Sequence, residues 1–476
     1  MNLKNKLAII SLVLPFALLV FGCNSNTFKK LNESPILHRT TMDQANLLQP
    51  DTLTAATTSE ASSYDASIII QPDVKYQTMD GFGYTLTGGS ALHIQGMSAS
   101  ARANILRELF TREGNGIGVD YLRISVGGSD LDEYPWSYDD RPAGETDEDL
   151  AYFSMAYDTL YLIPTLKEIL QLNPDLKLMG SPWSPPTWMK DNQDTRGGSL
   201  LPKYYAAYAN YFVKYIKAMA AKGITIDAIT VQNEPLHPRN NPSLLMLPED
   251  QAIFVKNHLG PVFKKHSIAT KIIIYDHNAD RPDYPITILN DPDAAQYIDG
   301  SAFHLYGGTI DTLTTVHEAH PDKHLYFTEQ WVGAPGDFEK ELSWHTENLI
   351  IGAPRNWCKT VLEWNLAAGE NQLPHTDRGG CDRCLGAITI SSDEVIRNPA
   401  YYIIAQASKF VPAGSVRIDS NNDGDVVNVA YLTPENQLVV ILQNKNETAV
   451  KIQLKQHNKS LEVSLSPKEV ATLVWY

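Results

Sequence analysis

Two short stretches place an acid where bond-breaking chemistry could use it: Asn233-Glu234-Pro235 and Thr328-Glu329-Gln330-Trp331. Each lies at the end of an apolar run. Cleaving a glycosidic bond needs one carboxyl group that is still protonated, to assist the leaving oxygen. It also needs an ionised carboxylate, to attack the anomeric carbon or to activate water. Glu234 and Glu329 can divide those roles if the fold sets them face to face. A separation of about 5–5.5 Å would give retention of configuration through a glycosyl-enzyme intermediate. Polar and aromatic residues recur at comparable places. Arg123 and Asp130 flank Ile-Ser-Val-Gly-Gly-Ser, Trp183 and Trp188 lie in Ser181-Pro-Trp183-Ser-Pro-Pro-Thr-Trp188, and His304 stands two before Tyr306. Trp364 sits in Glu363-Trp364-Asn365. Indole faces stack on sugar C–H surfaces, while amides and carboxylates bond the hydroxyls. The chemistry requires no metal and no cofactor, and no cluster of ligand residues demands one.

These residues need a frame that projects them to one place. From residue 81 to about 370, short apolar or β-branched runs alternate with longer amphipathic stretches. Strands are expected at Gly81–Tyr84, Tyr121–Val126, Leu176–Ser181, Ala228–Val231, Lys271–Tyr275, Gly300–His304, Leu325–Thr328 and Thr360–Trp364. In Tyr204–Ala221, Tyr208, Phe212, Ile216 and Met219 recur at helical spacing, and Pro248 can open a helix over Glu249–Leu259. Eight strands that each hand over to a helix predict an α/β (β/α)8 barrel over 80–405, whose active site lies at the strands' C-terminal ends. A doubly wound sheet is the rival, but no G-x-G-x-x-G turn follows the first strand. From about 413 the pattern turns purely β, with runs at Val426–Tyr431, Gln437–Gln443, Ala449–Leu454, Leu461–Leu465 and Glu469–Trp475. Together with strands in 67–79, these predict a small β-sandwich over 406–476 beside the barrel.

The first 22 residues read as a signal peptide, with Lys4 and Lys6 ahead of an apolar run from Leu7 to Phe21. Gly22-Cys23 resembles a bacterial lipobox, which implies cleavage and acylation of Cys23. The rival is an ordinary secretory signal with a chance cysteine. Residues 23–66, rich in Ser, Thr, Asn and Ala, read as a flexible tether. Asn24 is not the aspartate associated with inner-membrane retention in Gram-negative lipoproteins, so the outer membrane or cell surface is the expected location. Cys381-Asp-Arg-Cys384 has no second pair to complete a zinc site, and a local disulfide is the simpler reading in an oxidising compartment. Lys+Arg number 39 against 55 Asp+Glu, for a formal charge of -16 over 476 residues. That balance argues against nucleic acid as a partner and favours a neutral polymer.

Asn233-Glu234-Pro235 and Glu329, with Asp80-Gly-Phe-Gly83, the Ser-Pro-Pro-Thr-Trp188 run and Trp364-Asn365-Leu366, resemble glycoside hydrolase family 30. The resemblance covers nearly everything from about residue 67 onward. It implies that Glu234 is the general acid/base and Glu329 the nucleophile. It implies that Asn233 bonds the sugar 2-hydroxyl, that Arg123 lies under the site to keep Glu329 ionised, and that Tyr306 donates to Glu329. Asp130, Trp183 and Trp364 match positions that hold the non-reducing glucose. His304 joins the substrate-binding set by its His-x-Tyr context, with a packing role as the alternative; Arg123 could equally be an interior ion pair, and Trp188 core. The loop from Gly369 to Cys384 departs from the ceramide-cleaving members and is more similar to the endo-β-1,6-glucanase branch. The expected activity is therefore retaining endo-β-1,6-glucanase. A glucosylceramidase, a β-glucosidase, a xylanase or a non-catalytic glycan-binding lipoprotein are the alternatives.

Overall fold

A computed structural model describes residues 34–53 and 63–475. The expected signal peptide and Cys23 lie outside the described residues. The chain enters a nine-stranded sheet through β1 (Ile36–Thr40), β2 (Leu47–Thr52) and β3 (Ala66–Thr78). It then builds β4 (Gly81–Leu86), β5 (Tyr121–Ser125), β6 (Lys177–Ser181), β7 (Ala228–Thr230), β8 (Lys271–Asn278), β9 (Ile298–His304) and β10 (His324–Glu329). A two-residue strand β11 (Val332–Gly333) precedes β12 (Cys358–Asn365), which pairs with both β10 and β4 and closes an eight-stranded parallel barrel. Short strands β13 (Ala367–Ala368), β14 (Cys384–Leu385), β15 (Ile388–Ser391) and β16 (Glu394–Arg397) follow. The chain returns to the first sheet with β17 (Val416–Ser420), β18 (Val426–Leu432), β19 (Leu438–Asn444), β20 (Val450–Gln456), β21 (Lys459–Leu465) and β22 (Val470–Trp475). The order there is β2-β1-β22-β19-β18-β17-β3-β20-β21.

Barrel closure is tight enough to dictate residue type. A Cβ on Gly83 would fall 1.9 Å from the Tyr121 carbonyl oxygen, and one on Gly300 would fall 2.0 Å from that of His324. Only glycine lets those neighbouring strands approach. Inside the barrel, Tyr121, Met179, Ala228, Ile273, Ala302, Tyr326 and Leu362 form one buried apolar layer. Side chains alternate along a strand, so the next inward position is two residues on. That step leads to Arg123, Ser181, Thr230, His304, Thr328 and Trp364. The apolar layer is the floor on which the polar one rests.

All eight barrel strands lie where the sequence predicts them, within a few residues, and the helix expected at Tyr204–Ala221 is found at Tyr205–Ala220. Two boundaries differ. Within the segment read as tether, β1 and β2 are strands: Leu37 is fully buried in the sandwich core, and β1 pairs with β22 along its whole length. Their signal is faint because β2 leaves most of its side chains exposed. The barrel end expected at residue 405 falls inside the helix Pro399–Ser408, which is buried for most of its length and receives the Tyr84 hydroxyl at the Ala400 carbonyl.

Candidate active site

The C-terminal ends of β5 to β10 and β12 converge on a pocket of about 440 Å³. Asp130, Trp183, Glu234, Tyr306, Glu329 and Trp364, all expected at the site, line it. His237, Asn240, His277, Asn278, Trp331 and the Cys381–Cys384 pair complete the wall. The two cysteines form a disulfide. Trp183 and Trp364 lie with ring centroids 5.3 Å apart, and the Arg123 guanidinium sits 4.8 Å from the Trp183 centroid, close enough for a cation–π attraction.

Glu329 leaves the end of β10 beside two donors. Arg123 Nη1 donates to one oxygen at 2.6 Å and the Tyr306 hydroxyl to the other at 3.0 Å. Glu234 sits just past β7 with a positive φ of 45°, a backbone conformation that side-chain-bearing residues adopt at a cost and that clusters at functional sites. Its N–H donates to the Asp276 carbonyl, and its carboxylate meets His304 Nδ1 at 3.2 Å and Asn240 Nδ2 at 3.4 Å. An oxygen of Glu234, an oxygen of Glu329 and a His304 nitrogen all lie within 4.8 Å of one another. That trio is also a set of metal-ligand types, yet each member already has protein hydrogen-bond partners: His304 uses both ring nitrogens, and Glu329 both oxygens.

Arg123 lies under the site, where the resemblance puts it, and His304, expected among the substrate-contacting residues, lies there with it. Both side chains are fully buried and neither lines the pocket. They belong to a layer beneath it, because each is the inward residue one step above the apolar floor. What joins them is Asp276, which sequence reasoning missed. Asp276 accepts from Arg123 Nη2 at 2.8 Å, Thr230 Oγ1 at 2.7 Å and Thr328 Oγ1 at 2.6 Å, and meets His304 Nε2 at 3.1 Å. Strict alternation from Ile273 would have pointed Tyr275 inward. Instead the register shifts between Tyr275 and His277, and Tyr275 and Asp276 both take positive φ. A bulge of this kind re-aims a side chain, and here it delivers a carboxylate. Asn233 also leans on this layer, its Oδ1 accepting from Arg123 Nη2 at 2.5 Å. Its amide N–H groups are what it can offer a hydroxyl.

The electrostatics follow from burial and count. Three buried carboxylates, Asp276, Glu234 and Glu329, face two cations, Arg123 and His304. Burial opposes the charge on Asp276, but Arg123, His304 and Thr328 hold it ionised, far below the usual carboxylate range. Burial would lower His304, yet the Glu329 charge and the hydrogen bonds to Asp276 and Glu234 raise it to about 9. Burial also works against a charge on Glu234; the hydrogen bond and charge of His304 overcome it and pull that carboxyl down. For Glu329, burial and the Glu234 and Asp276 charges outweigh His304 and Arg123, and the carboxyl is pushed up. The two carboxyls interact closely enough that these opposed shifts belong to the pair rather than to either glutamate alone. Asp130 is raised well above its ordinary range, first by burial and then by the charges of Glu329 and Glu234. Its Oδ1 has no donor among the described residues. Burial lowers His277 to about 4, so it is neutral at physiological pH.

Such a pair can donate a proton from one carboxyl while the other attacks, and indoles at the floor suit a pyranose face. Two family descriptions match this chain: the glycosyl hydrolase family 30 TIM-barrel domain over residues 79–411 and the glycosyl hydrolase family 30 β-sandwich domain over 414–473. An endo-1,6-β-D-glucanase of Aspergillus fumigatus is 33% identical over 411 residues, covering 80% of this chain and 82% of the relative. The lysosomal acid glucosylceramidase of Mus musculus is 28% identical over 437 residues, covering 86% of this chain and 83% of that protein. The solved structure of the endo-β1,6-glucanase BT3312 superposes with a TM-score of 0.86 at 35% identity, over 93% of this chain and 99% of the other. Barrel and sandwich thus agree with the family descriptions, and the chain belongs to glycoside hydrolase family 30.

Proposed function

We propose that this protein is a retaining endo-β-1,6-glucanase, with Glu329 as nucleophile and Glu234 as general acid/base. The observation that carries the mechanism is the closeness of the two carboxylates, with oxygens within 4.8 Å. Facing oxygens that close suit the spacing of about 5–5.5 Å between carboxyl groups in retaining enzymes better than the about 6.5–9.5 Å with which inverting enzymes admit a water. In the first step Glu234, in its protonated form, gives its proton to the leaving oxygen as ionised Glu329 attacks the anomeric carbon, displacing the rest of the glucan. Arg123 and Tyr306 stabilise Glu329 while it is ionised. In the second step Glu234 takes a proton from water, which attacks the same carbon from the face the leaving group left. Glu329 is released and the β configuration is restored. His304, held as a cation against Glu234 and Asp276, steadies Glu234 while that carboxylate is ionised. Asp130, Asn233, Trp183 and Trp364 hold the glucose unit, with the unpartnered Asp130 oxygen as an acceptor for a hydroxyl.

The β-1,6-glucanase relatives support the linkage, and the acidic chain suits an uncharged polymer. β-1,6-Glucan should give a ladder of short oligosaccharides early in the reaction, with β-1,3- and β-1,4-glucans left intact. Glucose as the sole early product, or faster cleavage of a glucosylated lipid, would overturn the substrate assignment. Lipid attachment at Cys23, with display on the outer membrane or cell surface, belongs to the same proposal and rests on the lipobox-like Gly22-Cys23. Two or three acyl chains anchor stably where one does not. Cys23→Ala should move the protein to the soluble fraction; membrane retention of that variant would refute the anchor.

A further inference from the structure

The segment 374–385 has no counterpart in the catalytic roles assigned above, yet it ties three rim loops together. Thr376 N donates to the Asp130 carbonyl at 3.0 Å, beside the expected glucose-holding carboxylate. Asn241 Nδ2, next to the Asn240 that meets Glu234, donates to Asp377 Oδ1 at 2.9 Å, and the Thr376 hydroxyl donates to the Asn241 carbonyl. At its far end β14 pairs with β11, with Gly333 opposite Cys384, and Ala334 N donates to the Arg383 carbonyl at 2.8 Å. The Cys381–Cys384 disulfide braces the turn between these anchor points, and both cysteines line the pocket.

β11 begins one residue after Trp331, so the strap fixes the backbone that carries that indole. Trp331 is packed against the cluster of Leu131, Trp183, Trp364 and Cys384, and a Cβ on Gly333 would stand 3.3 Å from its Cη2 atom. The ring is thus seated on the Gly333 backbone with part of its surface left to the pocket it lines. Trp183 and Trp364 already supply the aromatic floor for one glucose. At about 440 Å³ the pocket has room beyond a single hexose, in the range that accommodates a drug-sized ligand.

We propose that Trp331, held by the disulfide-braced strap 374–385, is a specificity-determining platform for a second glucose unit adjacent to the one whose bond is broken. Its indole offers an apolar face to that sugar, and the strap keeps the face at a fixed distance from Glu234 and Glu329. The inference rests on the glucanase reading and adds to it a residue that separates polymer from small glucosides.

The test compares kcat/KM for β-1,6-glucan with kcat/KM for β-glucosyl fluoride, whose leaving group is one atom and occupies no second sugar position. In Trp331→Ala the ratio of the two should fall about tenfold, the size expected when an aromatic anchor is truncated, and the fall should appear in KM for the polymer. Trp331→Phe should restore most of it. Cys381→Ser/Cys384→Ser should lower the ratio in the same direction by a smaller factor. Equal losses on both substrates in Trp331→Ala, or an unchanged ratio, would overturn the proposal while leaving the glucanase reading in place. Wild-type protein that hydrolyses the fluoride but not the glucan would overturn that reading, and this inference with it.

Discussion

Two layers of the same barrel, two residues apart on the same strands, are built from opposite materials. The lower holds Tyr121, Met179, Ala228, Ile273, Ala302, Tyr326 and Leu362. The upper holds Arg123, Ser181, Thr230, Asp276, His304 and Thr328, joined by hydrogen bonds and buried to the same degree. Apolar packing is what folding rewards, whereas burying charges costs stability unless each is matched. The upper layer is matched almost completely from within, which is why the barrel tolerates it. What it contributes is orientation and charge for Glu234 and Glu329 rather than stability. Substitutions above should cost turnover, and substitutions below should cost folding.

The sharpest break in that contrast is Glu329→Gln. It removes the proposed nucleophile and should lower kcat on glucan by at least about a thousandfold, with the melting temperature little changed. Steady-state kinetics beside thermal melts would check both halves; near-normal turnover would place the nucleophile elsewhere. Asp276→Asn is next. It removes the carboxylate that orients Arg123 and His304, and kcat should fall about a hundredfold. Losing that negative charge also lowers His304 from about 9, so the alkaline limb of the pH–rate profile should move to lower pH. An unshifted limb would show that Asp276 does not govern the proton held at His304 and Glu234. Below the divide, Met179→Ala opens a cavity in a fully buried layer and should cost about 2–5 kcal/mol of stability. Its kcat/KM at a temperature where it remains folded should stay near the parent's, and a large loss of activity there would blur the contrast.

The smallest expected effect is a pH dependence of stability. His304 is raised to about 9, as is His345, where burial is overcome by Glu363 and Glu341. A group whose folded pKa is raised stabilises fully below its unfolded value of about 6.5, and that contribution is lost as pH climbs through the folded one. The melting temperature should therefore decline by a few degrees between pH 6.5 and 9. His345→Gln should flatten part of that decline by removing the second of these two groups.

The same division explains what could be read from the chain. The eight strands were legible because each is a compact apolar run, and Glu234, Glu329, Trp183 and Trp364 were legible because they stand at the ends of those runs. Asp276 was hidden by the bulge at Tyr275, since alternation assigns the inward position to a different residue. The depth of His304 was hidden for a related reason: strand ends mark a rim but not which side chains lie under it, and for Arg123 only the family resemblance indicated it. β1 and β2 escaped because an edge pair with one buried leucine and mostly exposed neighbours carries little periodicity. Trp331 was read as part of a motif, and its place in the pocket wall comes from its seat on Gly333 and from the pairing of β11 with β14.

In the proposed mechanism Glu329 forms a covalent bond to the sugar. Incubation with 2-deoxy-2-fluoro-β-glucosyl fluoride, whose 2-fluorine slows both steps while its leaving group keeps the first accessible, should trap that intermediate. Peptide mapping by mass spectrometry should then find the fluoroglucosyl group on Glu329. A label on a different carboxylate, or no label with an α-anomer as the first product of glucan cleavage, would contradict the account.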